Sequence, residues 1–186
     1  MDKILLPITG LVLAGGTGRR MGGRDKGFVL WLGEPLVIHA VRLLAGLPQV
    51  LVSANRSLPR YRALGYDVVT DEPANFSGPL AGLCQGLRQA TQPWMVSVPV
   101  DNPCLPQDIV ARLWAARVMG GLVLGRSPHG PEPLVCLVQT ALLPHLEAYL
   151  HKGGRRAQDW FAGLPHAWLD LTEVEAANCN TLEDLR

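Results

Sequence analysis

The chain has almost no net charge, +1 at neutral pH over 186 residues, so no global electrostatic attraction draws it to nucleic acid or to an anionic membrane. It lacks an apolar run of about 20 residues, which excludes a membrane-spanning helix. Its four cysteines, Cys84, Cys104, Cys136 and Cys179, include no C-x-x-C pair, and no histidine stands at zinc-finger spacing. They read as buried thiols of a reducing, cytoplasmic compartment. The five histidines form neither an H-x-x-x-H pair nor a serine-triad pattern. No internal repeat, low-complexity tract or linker interrupts the chain. The apolar start after Lys3 is not read as a signal peptide. Asp2 offsets the lysine, Pro7 and Gly10 break the run, and cleavage near Ala14 would strip a glycine loop of its supporting strand.

What is present is an alternation of strand-length apolar runs with segments of helical period, the signature of an α/β domain on a largely parallel, Rossmann-like sheet. A chain of this length suits one domain, here 1–186, with a sizeable core. The pattern predicts strands at 11–14, 50–53, 67–70 and 95–100, and helices at 35–47, 60–64, 79–90 and 106–118. Residues 28–32 also have strand character. Beyond residue 121 it predicts strands at 122–124 and 134–138, separated by a turn-rich stretch at 125–133. Helices at 141–150 and 156–161, a strand at 167–169 and a short terminal helix complete the reading. Open α/β sheets bind ligands outside the carboxyl ends of their strands, which selects the loops at Gly15, Ser53, Asp71 and Asp101.

The stretch LVLAGGTGRRMGGRDKG, residues 11–27, empties an apolar run into a loop with glycines at 15, 16, 18, 22 and 23 and cations at Arg19, Arg20, Arg24 and Lys26. Such glycines let backbone N–H groups line an anion-binding nest, while arginine forks and a lysine point charge suit phosphate oxygens. A solvated basic turn fits the same residues. The dinucleotide fingerprint fails at Met21, and the P-loop fails at Asp25-Lys26-Gly27.

Further candidates follow the predicted strands. Asp101 can offer a hard oxygen to Mg²⁺ bridging a nucleotide's phosphates, or can simply cap the Asp101-Asn102-Pro103 turn. Asp71 can accept hydrogen bonds from a base or ribose, or set the turn before Pro73. Ser53 or Asn55 can reach a nucleotide from the next strand end. Gly78, Pro79 and Gly82 open a helix whose amides favour an anion or a base edge, and a tight turn before a helix reads equally well. Arg155 and Arg156 suit an anionic phosphate or a solvated helix face. Asn180, with Glu183 three residues on, also makes an N-cap, and Asn178 lies beside it.

The run L-A-G-G followed by T-G-R-R-M-G-G-R-D-K-G resembles the signature of the molybdenum cofactor guanylyltransferase family, the MobA-like nucleotidyltransferases. SANR at 53–56, GPLAG at 78–82, PVDNPCLP at 99–106, GGRR at 153–156 and NCNT at 178–181 occur in that family's order. The resemblance implies a three-layer nucleotidyltransferase fold, with a GTP-binding part over about 9–110 and a pterin-side part over about 111–186. It implies transfer of GMP from GTP to molybdopterin, with release of pyrophosphate and formation of molybdopterin guanine dinucleotide. Leu13, Ala14 and Gly15 would hold the guanine base, Gly16 to Gly22 would surround phosphate, and Lys26 would contact the triphosphate. Lys26 with Arg19 or Arg20 would stabilise the departing pyrophosphate, Asp101 would bind Mg²⁺ and GTP, and Asp71 would contact GTP. Asn178 and Asn180 would lie by the active site, and Arg156 on the pterin side.

Two departures stand out: Ser53 replaces a common asparagine, and Glu132 precedes Pro133 where histidine or glutamine is usual. A cytidylyltransferase of the same fold usually reads L-A-A-G in the loop, and a sugar-1-phosphate enzyme carries P-L-T after the arginine. A non-catalytic GTP-binding adaptor in cofactor delivery is the reading from another class, and the presence of both Asp101 and Lys26 argues against it. Expected partners are the two substrates and molybdoenzyme chaperones, and the expected state is a monomer or weak oligomer.

Overall fold

A computed structural model of the chain describes residues 6–15, 25–71, 78–117 and 120–179. Strand β1 (Ile8–Leu13) is buried at all six positions, and a strand hidden on both faces must have sheet neighbours on both sides. They are β4 (Gln49–Ser53) and β6 (Trp94–Pro99), both parallel to it. The short pair β2 (Leu30–Trp31) and β3 (Glu34–Pro35) forms a separate hairpin. With β5 (Asp67–Val69), β7 (Leu122–Ser127), β8 (Gly130–Gln139) and β9 (Ala167–Asp170), the main sheet runs β5-β4-β1-β6-β8-β7-β9. Only β8 runs against the other six.

Alternation along the strands supplies two apolar faces. Ile8, Val12, Val52, Val96, Val98, Val123, Val135 and Leu137 point to one core. There α1 (Leu36–Leu43) and α4 (Ile109–Ala115) pack, together with Tyr61 of α2 (Leu58–Arg62). Leu11, Leu13, Leu51, Met95, Leu124 and Val138 point to the other. That face is covered by α3 (Pro79–Gln89), α5 (Leu143–His151) and α6 (Ala157–Ala162). α3 buries Leu80, Leu83, Cys84 and Leu87, the spacing of one helix face, and Pro79 opens it with its φ already set. The result is the expected three-layer α/β architecture with a mostly parallel sheet.

Several boundaries differ from the sequence pattern. The helix expected at 35–47 runs only from Leu36 to Leu43, because Pro35 belongs to β3 and a turn ending at Gly46, with φ +87°, closes the helix. That expected at 106–118 begins at Ile109, and the strand expected at 28–32 shrinks to Leu30–Trp31 behind a 3-10 turn at Lys26–Phe28. The turn-rich reading of 125–133 is corrected. β7 continues to Ser127 and β8 starts at Gly130, and a bulge at Leu124/Gly125 absorbs the irregular pattern. Of the expected terminal helix, residues 173–176 form a turn, and 180–186 lie outside the described residues.

The chain runs from β1 outward through β4 to β5, then returns by α3 to β6 on the other side of β1. This reversal between β1 and β6 is the topological switch point, where an α/β sheet opens a crevice at its carboxyl edge.

Candidate active site

Four of the parallel strands end on one edge, and each is followed two residues later by a predicted site residue. Gly15 follows β1, Asn55 follows β4, Asp71 follows β5 and Asp101 follows β6. At the switch point, Lys26 Nζ donates to Asp101 Oδ2 at 2.9 Å, and the pair is shielded, with side-chain exposures of 20% and 30%. These residues are 75 positions apart, so the fold alone brings them together.

The backbone of the predicted base-holding segment is fixed from both sides. Ala14 N–H donates to Ser53 O at 2.8 Å, and Val100 N–H donates to Leu13 O at 3.1 Å. Gly15 is exposed just beyond, where among the described residues a Cβ would meet nothing closer than Asn55 Nδ2 at 3.7 Å. Gly16, Arg19, Arg20, Gly22 and Arg24 lie outside the described residues, as does Asn180.

Asn55 and Asp71 bind each other twice. Asn55 Nδ2 donates to Asp71 Oδ2 at 2.8 Å, and Asp71 N–H donates to Asn55 Oδ1 at 2.8 Å. The remaining oxygen, Asp71 Oδ1, is buried with no hydrogen-bond partner among the described residues. Burial raises the Asp71 carboxyl above its ordinary pKa, and the Asn55 hydrogen bond opposes that. An orphaned buried acceptor is an unmet demand for a donor.

Ser53 and Gly82 meet each other where α3 packs on the sheet. Ser53 is 2% exposed, and a Cβ at Gly82 would come within 2.5 Å of its hydroxyl oxygen and 3.2 Å of Leu13. The pair therefore serves the close approach of α3 to β4 and β1. Gly78 and Pro79 remain exposed at the start of α3, with Gly78 at φ +97°.

A pocket of about 390 Å³ joins that helix start to the second half of the chain; Pro79, Pro133, Leu134, Arg155 and Arg156 line it. Arg155 donates to the carbonyls of Leu150 and Gly154, so it holds the turn after α5. Arg156 is exposed and is the cation of the pair left to face the pocket. Glu132, next to Pro133, accepts from Ser127 Oγ at 3.2 Å. Its carboxyl is held above the ordinary range by burial first, and the charge of Asp101 adds to this, which places Glu132 within electrostatic reach of the Lys26–Asp101 pair.

The segment containing Asn178 docks directly on Asp101: Cys179 N–H donates to Asp101 O at 2.8 Å, and Asn102 Nδ2 donates to Ala176 O at 3.4 Å. Arg112 of α4 clamps the same segment, bonding Glu175 Oε1 at 2.6 Å and Asp170 O at 2.8 Å. Neither clamp is signalled in the sequence, because each joins residues about 60 to 75 positions apart.

For a divalent ion, Asp101 offers a hard carboxylate at the crevice. No group of three or more His, Cys, Asp or Glu residues could cage a metal among the described residues. A single carboxylate fits an ion such as Mg²⁺, which keeps waters and completes its shell with substrate phosphates. No disulfide joins the four cysteines, and no helix among the described residues is long and apolar enough to cross a membrane.

Comparison with known proteins agrees with this geometry. The model of the MobA-like NTP transferase domain matches residues 10–167. The molybdenum cofactor guanylyltransferase of Cupriavidus taiwanensis is 42% identical over 188 residues, covering 96% of this chain and 94% of that protein. That of Ralstonia nicotianae is 40% identical over 192 residues, with the same coverage. The crystal structure of molybdopterin-guanine dinucleotide biosynthesis protein A from Archaeoglobus fulgidus superposes with a TM-score of 0.77. It is 21% identical and covers 95% of this chain and 94% of that one, a likeness of fold.

Proposed function

This chain belongs to the MobA-like NTP transferase family, and from that premise we propose that it transfers GMP from GTP to molybdopterin, forming molybdopterin guanine dinucleotide and pyrophosphate. The observation that carries the reading is the Lys26–Asp101 pair at the switch point between β1 and β6. It sets a fixed cation against a metal-binding carboxylate, as charge redistribution along a triphosphate requires.

In the proposed reaction the terminal phosphate of the pterin attacks the α-phosphorus of GTP. A new P–O bond forms there, the bond to the β-phosphate oxygen breaks, and pyrophosphate leaves with the electron pair. The acceptor phosphate is already anionic at neutral pH, so no protein nucleophile or general base is needed. Lys26, aided by Arg19 or Arg20, neutralises the charge that grows on the departing pyrophosphate. Asp101 would hold a divalent ion, magnesium on this reading, which would supply Lewis-acid polarisation of the phosphates.

Base recognition falls to the edge formed by Leu13, Ala14, Gly15, Asn55 and Asp71. The unpaired Oδ1 of Asp71 supports this, since a guanine edge presents the N–H donors that a carboxylate oxygen lacks here. The Gly78 N–H at the start of α3 and Arg156 across the pocket that Pro79 lines would receive the acceptor's phosphate. Asn178 sits on the segment that closes over Asp101. On this reading residues from about 9–110 hold GTP and those from about 111–186 serve the pterin side. The substrates are soluble and the proposed compartment is the cytoplasm.

The test incubates the purified protein with GTP, Mg²⁺ and molybdopterin and measures dinucleotide and pyrophosphate together. Both products are expected in equal amounts. GTP bound without turnover would favour an adaptor. Thermal stabilisation by CTP equal to or above that by GTP would favour a cytidylyltransferase.

A further inference from the structure

Tyr61 lies outside every motif that carries the proposed chemistry, yet it is fully buried and its hydroxyl donates to Asp25 Oδ1 at 2.6 Å. The same oxygen accepts from Gly27 N–H at 3.2 Å and so caps the 3-10 turn Lys26–Phe28. The turn is closed by Phe28 N–H to Asp25 O and by Val29 N–H to Lys26 O, both at 3.1 Å. Phe28 packs on the Tyr61 ring with centroids 4.6 Å apart, and the Arg60 guanidinium covers Phe28 at 3.7 Å. A Cβ on Gly27 would collide with the Tyr61 hydroxyl, so the glycine is required by the approach of that phenol. Burial, and then the Asp25 carboxylate, raise the phenol's pKa far above its ordinary value, and it remains a donor at any working pH.

We propose that Tyr61 is a positioning residue: its buried hydroxyl fixes Asp25, Asp25 caps the turn, and the turn delivers the Lys26 ammonium to Asp101. Tyr61 touches no reacting atom. It acts from the face of the sheet opposite α3, through one carboxylate, on the lysine paired with Asp101. The kinetic part of the test rests on the nucleotidyl-transfer reading above, whereas the spectroscopic part does not.

The variants are Tyr61→Phe, which keeps the ring and its contact with Phe28, Lys26→Met and the double variant. In Tyr61→Phe, kcat is expected to fall about tenfold while KM for GTP changes by less than about threefold, because the lost interaction is made in the transition state. In the Lys26→Met background the same change is expected to alter kcat by less than about twofold, the non-additivity of residues acting through one group. The chain contains three lysines, Lys3, Lys26 and Lys152. Lysine labelled with ¹³C and ¹⁵N in the side chain therefore gives a resolvable set of signals. The Lys26 signal is expected to shift in Tyr61→Phe, and those of Lys3 and Lys152 to stay in place.

A tenfold fall that persists in the Lys26→Met background overturns the proposal, as does an unmoved Lys26 signal. If the wild-type protein makes no dinucleotide, the functional reading fails and the Lys26 signal alone decides the positioning role. Should Tyr61→Phe not fold, Asp25→Ala removes the middle link of the relay and must displace the Lys26 signal in the same way. An unmoved signal there is again fatal.

Discussion

Removing Lys26 should separate stability from turnover. At 2.9 Å the ammonium and the Asp101 carboxylate attract by roughly 6 kcal/mol before desolvation, taking an effective dielectric of about 20. Most of that is offset by dehydrating both groups and ordering a long side chain. With a fifth to a third of each side chain in water, the net contribution to folding is about 1 kcal/mol. For a domain of this size Lys26→Met should therefore lower Tm by only about 2–4 °C. Turnover is a different matter, because the charge that Lys26 meets grows only as pyrophosphate departs. Loss of one such preorganised donor typically removes about 10²–10³ in rate, or about 3–4 kcal/mol of barrier lowering. The assay pairs a melting curve with steady-state kinetics of dinucleotide formation on the same preparation. Lys26→Arg should not restore the rate, since a planar fork replaces a compact ammonium aimed at one oxygen. A kcat within tenfold of wild type would refute the role assigned to Lys26. A fall in Tm beyond about 10 °C would show that the activity was lost with the fold.

Two other outcomes follow from the crevice. Asp71→Asn is expected to raise the melting temperature of the nucleotide-free protein at pH 7–8 while weakening GTP binding, because it removes a charge that burial disfavours. The sign follows from the raised folded-state carboxyl. Its stabilising share is complete below the ordinary carboxylate pKa and is lost as pH climbs through the higher folded value, so the variant's advantage should vanish in acid. A lowered Tm at pH 8 contradicts this. Gly82→Ala should destabilise by about 1–3 kcal/mol, since its Cβ would press on Ser53 Oγ at 2.5 Å. Gly15→Ala, with no described neighbour inside 3.7 Å, should leave Tm within about 2 °C and raise the Kd for GTP. Equal effects on Tm in the two variants would undo the division between packing and ligand glycines.

The reach of the sequence is clearest at the carboxyl edge. Gly15, Asn55, Asp71 and Asp101 could be picked out because an apolar run, once read as a buried strand, announces where it stops. The same logic fails for direction. β8 is as apolar in its core half as its parallel neighbours, and burial on both faces leaves no trace in the pattern of which way a strand runs. It is silent again at Ser53 and Gly82, where a polar residue at a strand end and a glycine at a helix start also carry a packing constraint. The distance between them shows that each makes room for the other.

What the sequence withholds most completely are the residues that aim the functional groups. Tyr61 and Arg112 each hold a piece of the site from 36 and 63 positions away, and neither belongs to a local spacing rule. A group that binds phosphate must be exposed and charged, and so draws attention in a sequence. A group that orients it is best placed when buried, where its hydrogen bond is protected from water and its rotamer is fixed by packing. Tyr61 satisfies that condition and for the same reason reads as core. The charged groups proposed for this crevice stand out in the sequence, whereas the residues that aim them, the buried Tyr61 among them, are connected to them only by the fold.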